Sequence, residues 1–408
     1  MSHEIQKPTD ITIPSTSLWA KLPMIGGVLA VIGLGATLGS AMGAERARAM
    51  FSYLWAFEIF VGLGLGALGF LVVDHTVRAG WSVALRRITE TIAVTLPVFA
   101  LLFIPIWVFR DSLYPWIHEH DAIIEKKRWF LSEGAWTIRA IVYFAIWTFL
   151  SVTLYRNSVR QDSISSPTER DALSNKMWTI AAPGIILYGL TQSFQAIDWN
   201  MSLQPHWYST IFGVYFFAAS VQAYFALMAL LTMGLQSSGV LKKAITTEHF
   251  HDLGKFTYGF TIFWAYIAVS QFLLIWYANM PEETEFYMRR LEGGWDAVSY
   301  SLPVLHFFVP FLFLLSRHVK RSRIGLGIGA TWVLVMYLVD MYWLILPNFG
   351  VHGEGHHEAH LAVSWLDATA LLGVGGVFLA TFGYFLGRNK VVAINDPRLG
   401  ESLAHENF

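Results

Sequence analysis

A small set of polar residues stands inside long apolar runs of this sequence. They are Glu58, Arg139, Gln192, Gln195, Asp198, Gln222, Tyr224, Gln271, His306, Asp340 and Asp367. An ionisable group in such a run costs at least about 2–3 kcal/mol unless it is paired or wetted. The chemistry these residue types support is proton transfer. Histidine exchanges protons near neutral pH, and carboxylates relay them. His306 lies between Pro303 and Pro310. Each proline removes a backbone donor and frees a carbonyl, which suits a site for ordered water. The plainer reading is that these groups lock helices together. Glu58 and Arg139 would then form a buried ion pair, and the glutamines would bridge helices.

Three further clusters invite the same weighing. Asp74 and His75 stand at one end of an apolar run, and His249-Phe250-His251-Asp252 lies in a short connection. Either can take up protons from solvent, but solvated loop groups are the ordinary expectation. The stretch 351–360 holds His352, His356, His357 and His360. Its spacing fits no tetrahedral zinc pattern, so no metal is expected.

The elements that must position these residues are membrane helices. The chain has 408 residues, 55% hydrophobic and only 14% charged, against roughly 25% charged in a soluble domain. Apolar runs fall at about 22–42, 51–73, 91–110, 136–155, 177–197, 208–234, 255–279, 295–316, 324–346 and 363–386. Each approaches or exceeds the roughly 20 residues that cross a bilayer. The expected fold is an all-α membrane protein of about ten spans. Spans 2–5 and 6–9 would form two four-helix bundles, with spans 1 and 10 peripheral. Residues 1–21 and 387–408 read as cytoplasmic tails around a 22–386 membrane domain. Residues 1–21 are polar, so no signal peptide is expected there.

Of the 28 Lys and Arg, nineteen fall in the tails and the even-numbered loops, leaving nine on the other side. That asymmetry predicts both termini inside. With this orientation most of the polar set falls in the outer half of the membrane. Glu58, Arg139 and Asp367 are expected within about two turns of the outer face. Only His306 and Gln222 come near the midplane. The expectation is a polar funnel opening outward and closed by His306. Net charge is −1, so nothing points to nucleic acid. Cysteine is absent, which excludes disulfides, thiolate iron–sulfur clusters and covalent c-type haem attachment. A bis-histidine haem b needs two deep histidines, and only His306 is deep.

The stretch from Gln192 through Asp198-Trp199-Asn200-Met201-Ser202-Leu203-Gln204-Pro205-His206-Trp207-Tyr208-Ser209-Thr210 to Gly213, with the later His306-Phe307-Phe308-Val309-Pro310, resembles the F subunit of bacterial alternative complex III. That subunit belongs to the NrfD/PsrC-like membrane subunits. The resemblance implies a place in an inner-membrane quinol:cytochrome c or quinol:oxidase oxidoreductase. Its partners would be an NrfD-like C subunit, periplasmic iron–sulfur and cytochrome c subunits, a terminal oxidase and lipids. The iron–sulfur and haem c groups would lie in the partners, with quinone or menaquinone as the small molecule at hand. It implies a proton pathway or a quinone pocket here, and a pocket would fall near Glu58, Arg139, Gln192 and Asp198. The candidate pathway comprises Glu58, Arg139, Asp198, His306, Asp340, Asp367, Gln192, Gln271, Asp74 and His75. A pure scaffold and a secondary transporter are the alternatives. For the transporter, no matched pair of broken spans is visible.

Overall fold

The computed structural model describes residues 8–350 and 360–407. Most of the His-rich stretch, 352–359, lies outside the described residues, and His360 is exposed. The described residues form helices and turns, without a strand. Among the described residues, ten helices are long and apolar enough to cross a membrane: Leu18–Ala41, Arg46–Thr76, Val83–Val108, Glu133–Gln161, Pro167–Leu203, Phe212–Ser237, Thr247–Ala278, Trp295–Leu315, Arg323–Asn348 and Trp365–Arg388. We number them spans 1 to 10. The chain is an all-α, multi-pass membrane protein.

Several spans start earlier than hydropathy predicts. Span 3 begins at Val83 and includes Arg86, Arg87 and Glu90, expected to precede it. Span 7 begins at Thr247, where Thr246 and His249 form a reciprocal cap, so His249 to Asp252 are helical and buried rather than a solvated loop. Hydropathy stops at charges, whereas the helix continues wherever a neighbour neutralises them. Span 3 is interrupted near Pro97 and Pro105. Span 8 carries a wide π-helical turn over Pro303–Phe308, with His306 on it and buried. Such turns widen the backbone spacing and occur often at functional sites.

Spans 2 to 5 pack as one four-helix ring and spans 6 to 9 as a second. Span 2 joins them, resting on span 6, and most of its residues are buried. Spans 1 and 10 pair outside the rings against span 2. Glycine makes that pairing close. A Cβ on Gly33 would lie 2.3 Å from the Gly373 nitrogen, and one on Gly26 would lie 2.5 Å from the Ala380 nitrogen. Thr37 and Thr369 hydrogen-bond across the same seam at 2.9 Å. Small residues at a helix interface permit this approach in lipid, where no hydrophobic force drives helices together.

The described parts of both tails lie at one face of the bundle, as an even span count requires. The Leu241 N–H donates to the Asp10 carbonyl and the Val391 N–H to the Ile11 carbonyl, each at 2.8 Å. The described parts of both tails are packed against the helices. Ile11, Val391, Val392 and Ala393 are buried against the helix ends. By contrast, spans 1, 4, 5, 7 and 8 present exposed Val, Ile, Leu and Phe on their outer sides, as lipid-facing surfaces do.

Gly33→Leu should force spans 1 and 10 apart and cost about 1–3 kcal/mol. Gly35→Leu faces open space and should leave stability unchanged. Thermal unfolding of the two variants in detergent checks this pair.

Candidate functional site

The polar residues do not form one funnel. Most of them, with partners the sequence did not single out, fall into five clusters, while Gln192 and Gln271 stand apart.

The first lies in the first ring, toward the end away from the tails. Arg139 on span 4 makes a two-pronged pair with Asp198 on span 5, Nε to Oδ2 at 2.8 Å and Nη2 to Oδ1 at 2.7 Å. The Tyr143 hydroxyl donates to the same carboxylate at 2.6 Å. Phe130 stacks under the guanidinium, 3.8 Å from ring centroid to Cζ. The expected Glu58–Arg139 pair is therefore not made. Glu58 on span 2 instead accepts from the Gln195 amide at 2.9 and 3.1 Å. It is fully buried, and no cation pairs with it among the described residues. It also lies deeper than expected, twelve residues from the start of its helix, a rise of roughly 18 Å. Phe57, Phe103, Trp136, Trp147 and Trp199 wrap this region in aromatic contacts. Tyr114, from the loop above, donates to the Trp199 carbonyl at 3.2 Å. Burial pushes its hydroxyl well above the usual tyrosine range, and nearby Glu58 and Asp198 push it further. It stays a neutral donor.

The second cluster occupies the second ring. His306 Nε2 faces the Gln222 side-chain oxygen at 3.0 Å, and Gln222 donates to Thr261 at 2.9 Å. That pattern puts the proton on Nε2 and leaves Nδ1 bare. Nδ1 is buried with no partner. Trp264 lies over the imidazole at 3.9 Å between ring centroids and donates to Asp340 at 3.1 Å. Tyr215 donates to the other Asp340 oxygen at 2.5 Å. Asp340, like Glu58, is fully buried with neutral donors and no cation among the described residues. His306 and Asp340 thus flank one tryptophan. An indole N–H donates only, so it cannot relay a proton between them.

The third cluster joins spans 2, 9 and 10. Asp367 accepts from Arg48 at 2.6 Å, Ser52 at 2.8 Å and Tyr342 at 3.1 Å, and caps the start of its own helix. Every Asp367 oxygen is engaged, which makes it a helix clamp. Gln192 and Gln271 are likewise bridges. Gln192 donates to the Gly213 carbonyl at 3.0 Å, and Gln271 accepts from Ser209 at 3.0 Å.

The fourth and fifth clusters are on the face that holds the tails. Asp74 accepts from Arg86 Nε at 2.7 Å and from Ser82, and Arg86 also pairs with Asp396 of the C-terminal tail. Arg87 pairs with Glu90 and Asp162, both at 3.0 Å. The ordinary expectation for Asp74 and His75, solvated loop groups, is overturned. Both are buried, and the His75 Nε2 lacks a partner. They line the wall of an open cavity of about 290 Å³ with Arg78, Arg86, Ser174 and Asn175.

Sequence reasoning placed Arg86 and Arg87 as loop charges and passed over Glu90, Asp162 and Asp396. The i,i+3 spacing of Arg87 and Glu90 was the signal for a helix there. It also passed over Arg290. This guanidinium is 1% exposed and meets backbone carbonyls of Phe286, Trp343 and Leu344 at 2.7–3.0 Å.

Removing one partner of a buried pair strands the other charge. Arg139→Gln should therefore destabilise the protein by about 3 kcal/mol. The double variant Arg139→Gln, Asp198→Asn should recover part of that loss. A double-mutant cycle on unfolding in detergent measures the coupling. No protein-family model matches the chain, and no curated protein matches it either.

Proposed function

We propose that this chain is the proton-handling membrane subunit, without redox centres of its own, of a quinol:electron-acceptor oxidoreductase of the alternative complex III type in a bacterial inner membrane. The observation that carries this reading is the pair Glu58 and Asp340. Each is a fully buried carboxyl held by neutral donors, one in each ring, with no cation beside it among the described residues. A structural ion pair would have brought its counter-charge, as Asp198 and Asp367 do. A carboxyl without one is suited to taking up a proton and passing it on.

His306 adds a buried ring nitrogen with no partner on a π-turn, near the depth of Gln222. Asp74 and His75 add buried groups beside an open cavity on the tail face. In this reading protons arrive there and leave through the outer half of the rings. Water bridges the gaps between clusters. Asp198, Arg139 and Asp367 hold the helices in register. Quinol oxidation, the iron–sulfur clusters and the c-type haems belong to partner subunits. The absence of cysteine and the single deep histidine support that division, and so does the resemblance of residues 192–213.

Glu58→Gln and Asp340→Asn keep shape and hydrogen bonding but hold no exchangeable carboxyl proton. In the intact complex reconstituted in liposomes, each should lower protons moved per electron by about tenfold, with haem content unchanged. A scaffold would show unchanged proton yield, or loss of assembly instead. A transporter would purify without haem absorbance.

A further inference from the structure

Outside the spans, Glu119, Asp121 and His206 converge from two loops, one before span 4 and one before span 6. Each offers one ligand atom, and the three atoms lie within 4.8 Å of one another. Asp121 Oδ1 is already committed. It accepts from the Ile123 and Ile124 N–H groups at 2.7 and 2.9 Å, capping the short helix Ala122–Lys127. That cap fixes the carboxylate so that Oδ2 faces His206 Nε2 at 2.5 Å. Glu119 completes the group differently. Its Oε2 is shielded from solvent and has no hydrogen-bond partner. A shielded carboxylate oxygen without a donor, next to a second carboxylate, is an arrangement that a bound cation resolves.

The backbone around the three is held before any ligand arrives. The Glu119 N–H donates to the Pro115 carbonyl at 3.1 Å. Lys127 Nζ reaches across to the Pro205 carbonyl at 2.7 Å, next to His206. Trp207 Nε1 donates to the Glu283 carbonyl at 3.1 Å. A site held this way loses little ordering entropy on binding.

We propose that Glu119, Asp121 and His206 bind a divalent transition metal of the zinc type. One imidazole nitrogen and two carboxylate oxygens are its protein ligands, and water takes a fourth position. The donor set decides the class. Calcium and magnesium take oxygen alone, whereas imidazole with carboxylate suits zinc. Ligand bonds of about 2.0–2.2 Å set tetrahedral ligand atoms roughly 3.3–3.5 Å apart, so the 2.5 Å contact of His206 with Asp121 opens as the three groups turn toward the ion. His206 Nε2 and Asp121 Oδ2 then face the ion instead of each other. The ion ties the loop before span 4 to the loop before span 6. It thereby braces the segment that follows Asp198. This inference is independent of the proton-handling reading.

The test uses the full chain purified in detergent and stripped with a chelator. His352→Gln, His356→Gln, His357→Gln and His360→Gln are introduced first, so that this histidine-rich stretch cannot answer for the site. Titration with cobalt(II) should show one equivalent bound per chain, with the visible absorption of a low-coordinate site. Glu119→Gln and His206→Gln should each weaken that binding by at least about tenfold. Circular dichroism and elution should stay unchanged. In the parent, zinc(II) should raise the unfolding temperature, which gives a readout should a variant fold poorly. Absence of stoichiometric cobalt binding and of a zinc shift overturns the proposal. So does binding of equal strength in both variants.

Discussion

Lipid offers no hydrogen bonds in the interior of a bilayer, so a polar group buried among these helices is costly unless its own backbone or another helix satisfies it. That constraint explains the arrangement more than any single contact. Span 2 is where it presses hardest, because the helix touches both rings and the outer pair. Its polar side chains therefore meet partners on four other elements. Ser52 meets Asp367 on span 10, and Glu58 meets Gln195 on span 5. Asp74 meets Arg86 on span 3, and Trp55 donates to the Leu338 carbonyl on span 9 at 3.0 Å. Close backbone approach accompanies them. A Cβ on Gly66 would fall 2.5 Å from the Ser220 carbonyl oxygen on span 6.

Ionisable groups buried in the spans fall mainly into two sets. Toward the helix ends they are paired: Arg139 with Asp198, Arg48 with Asp367, Arg86 with Asp74 and Asp396, Arg87 with Glu90 and Asp162. Removing a buried charge from water is repaid only when geometry and extra hydrogen bonds are good, and these pairs have both. Deeper in the rings the partners are amides, phenols and indoles instead. Gln195 serves Glu58, Gln222 serves His306, and Tyr215 with Trp264 serves Asp340. Two populations of buried ionisable groups result, one paired with an opposite charge and one held by neutral hydrogen-bond partners.

Much of this was legible in the sequence, for definable reasons. Ten apolar runs and the Lys/Arg asymmetry follow from the bilayer itself, and the helices appear where those runs are. His306, Asp340 and Glu58 stood out because each is costly in lipid without help. The partners did not stand out. Tyr215, Trp264 and Tyr143 look like ordinary aromatics in an aromatic-rich chain, and only tertiary packing aims them at carboxylates. Glu58 and Arg139 have opposite charge and similar apparent depth, which is why sequence pairs them. The two-pronged fit of Arg139 to Asp198 wins because both prongs and the Tyr143 hydroxyl meet one carboxylate. Hydropathy ends at a charge, so the sequence alone sets Asp74 at a solvated helix end and Arg86 outside span 3. The C-terminal tail, which supplies Asp396, is distant in sequence and covers them.

The most direct measurement of the central claim is infrared difference spectroscopy of the chain within the proposed oxidoreductase complex, taken between resting and turning-over states. The account predicts a carboxyl C=O band that changes on turnover and is lost in Glu58→Gln or Asp340→Asn. A spectrum in which neither substitution alters any carboxyl band would contradict it.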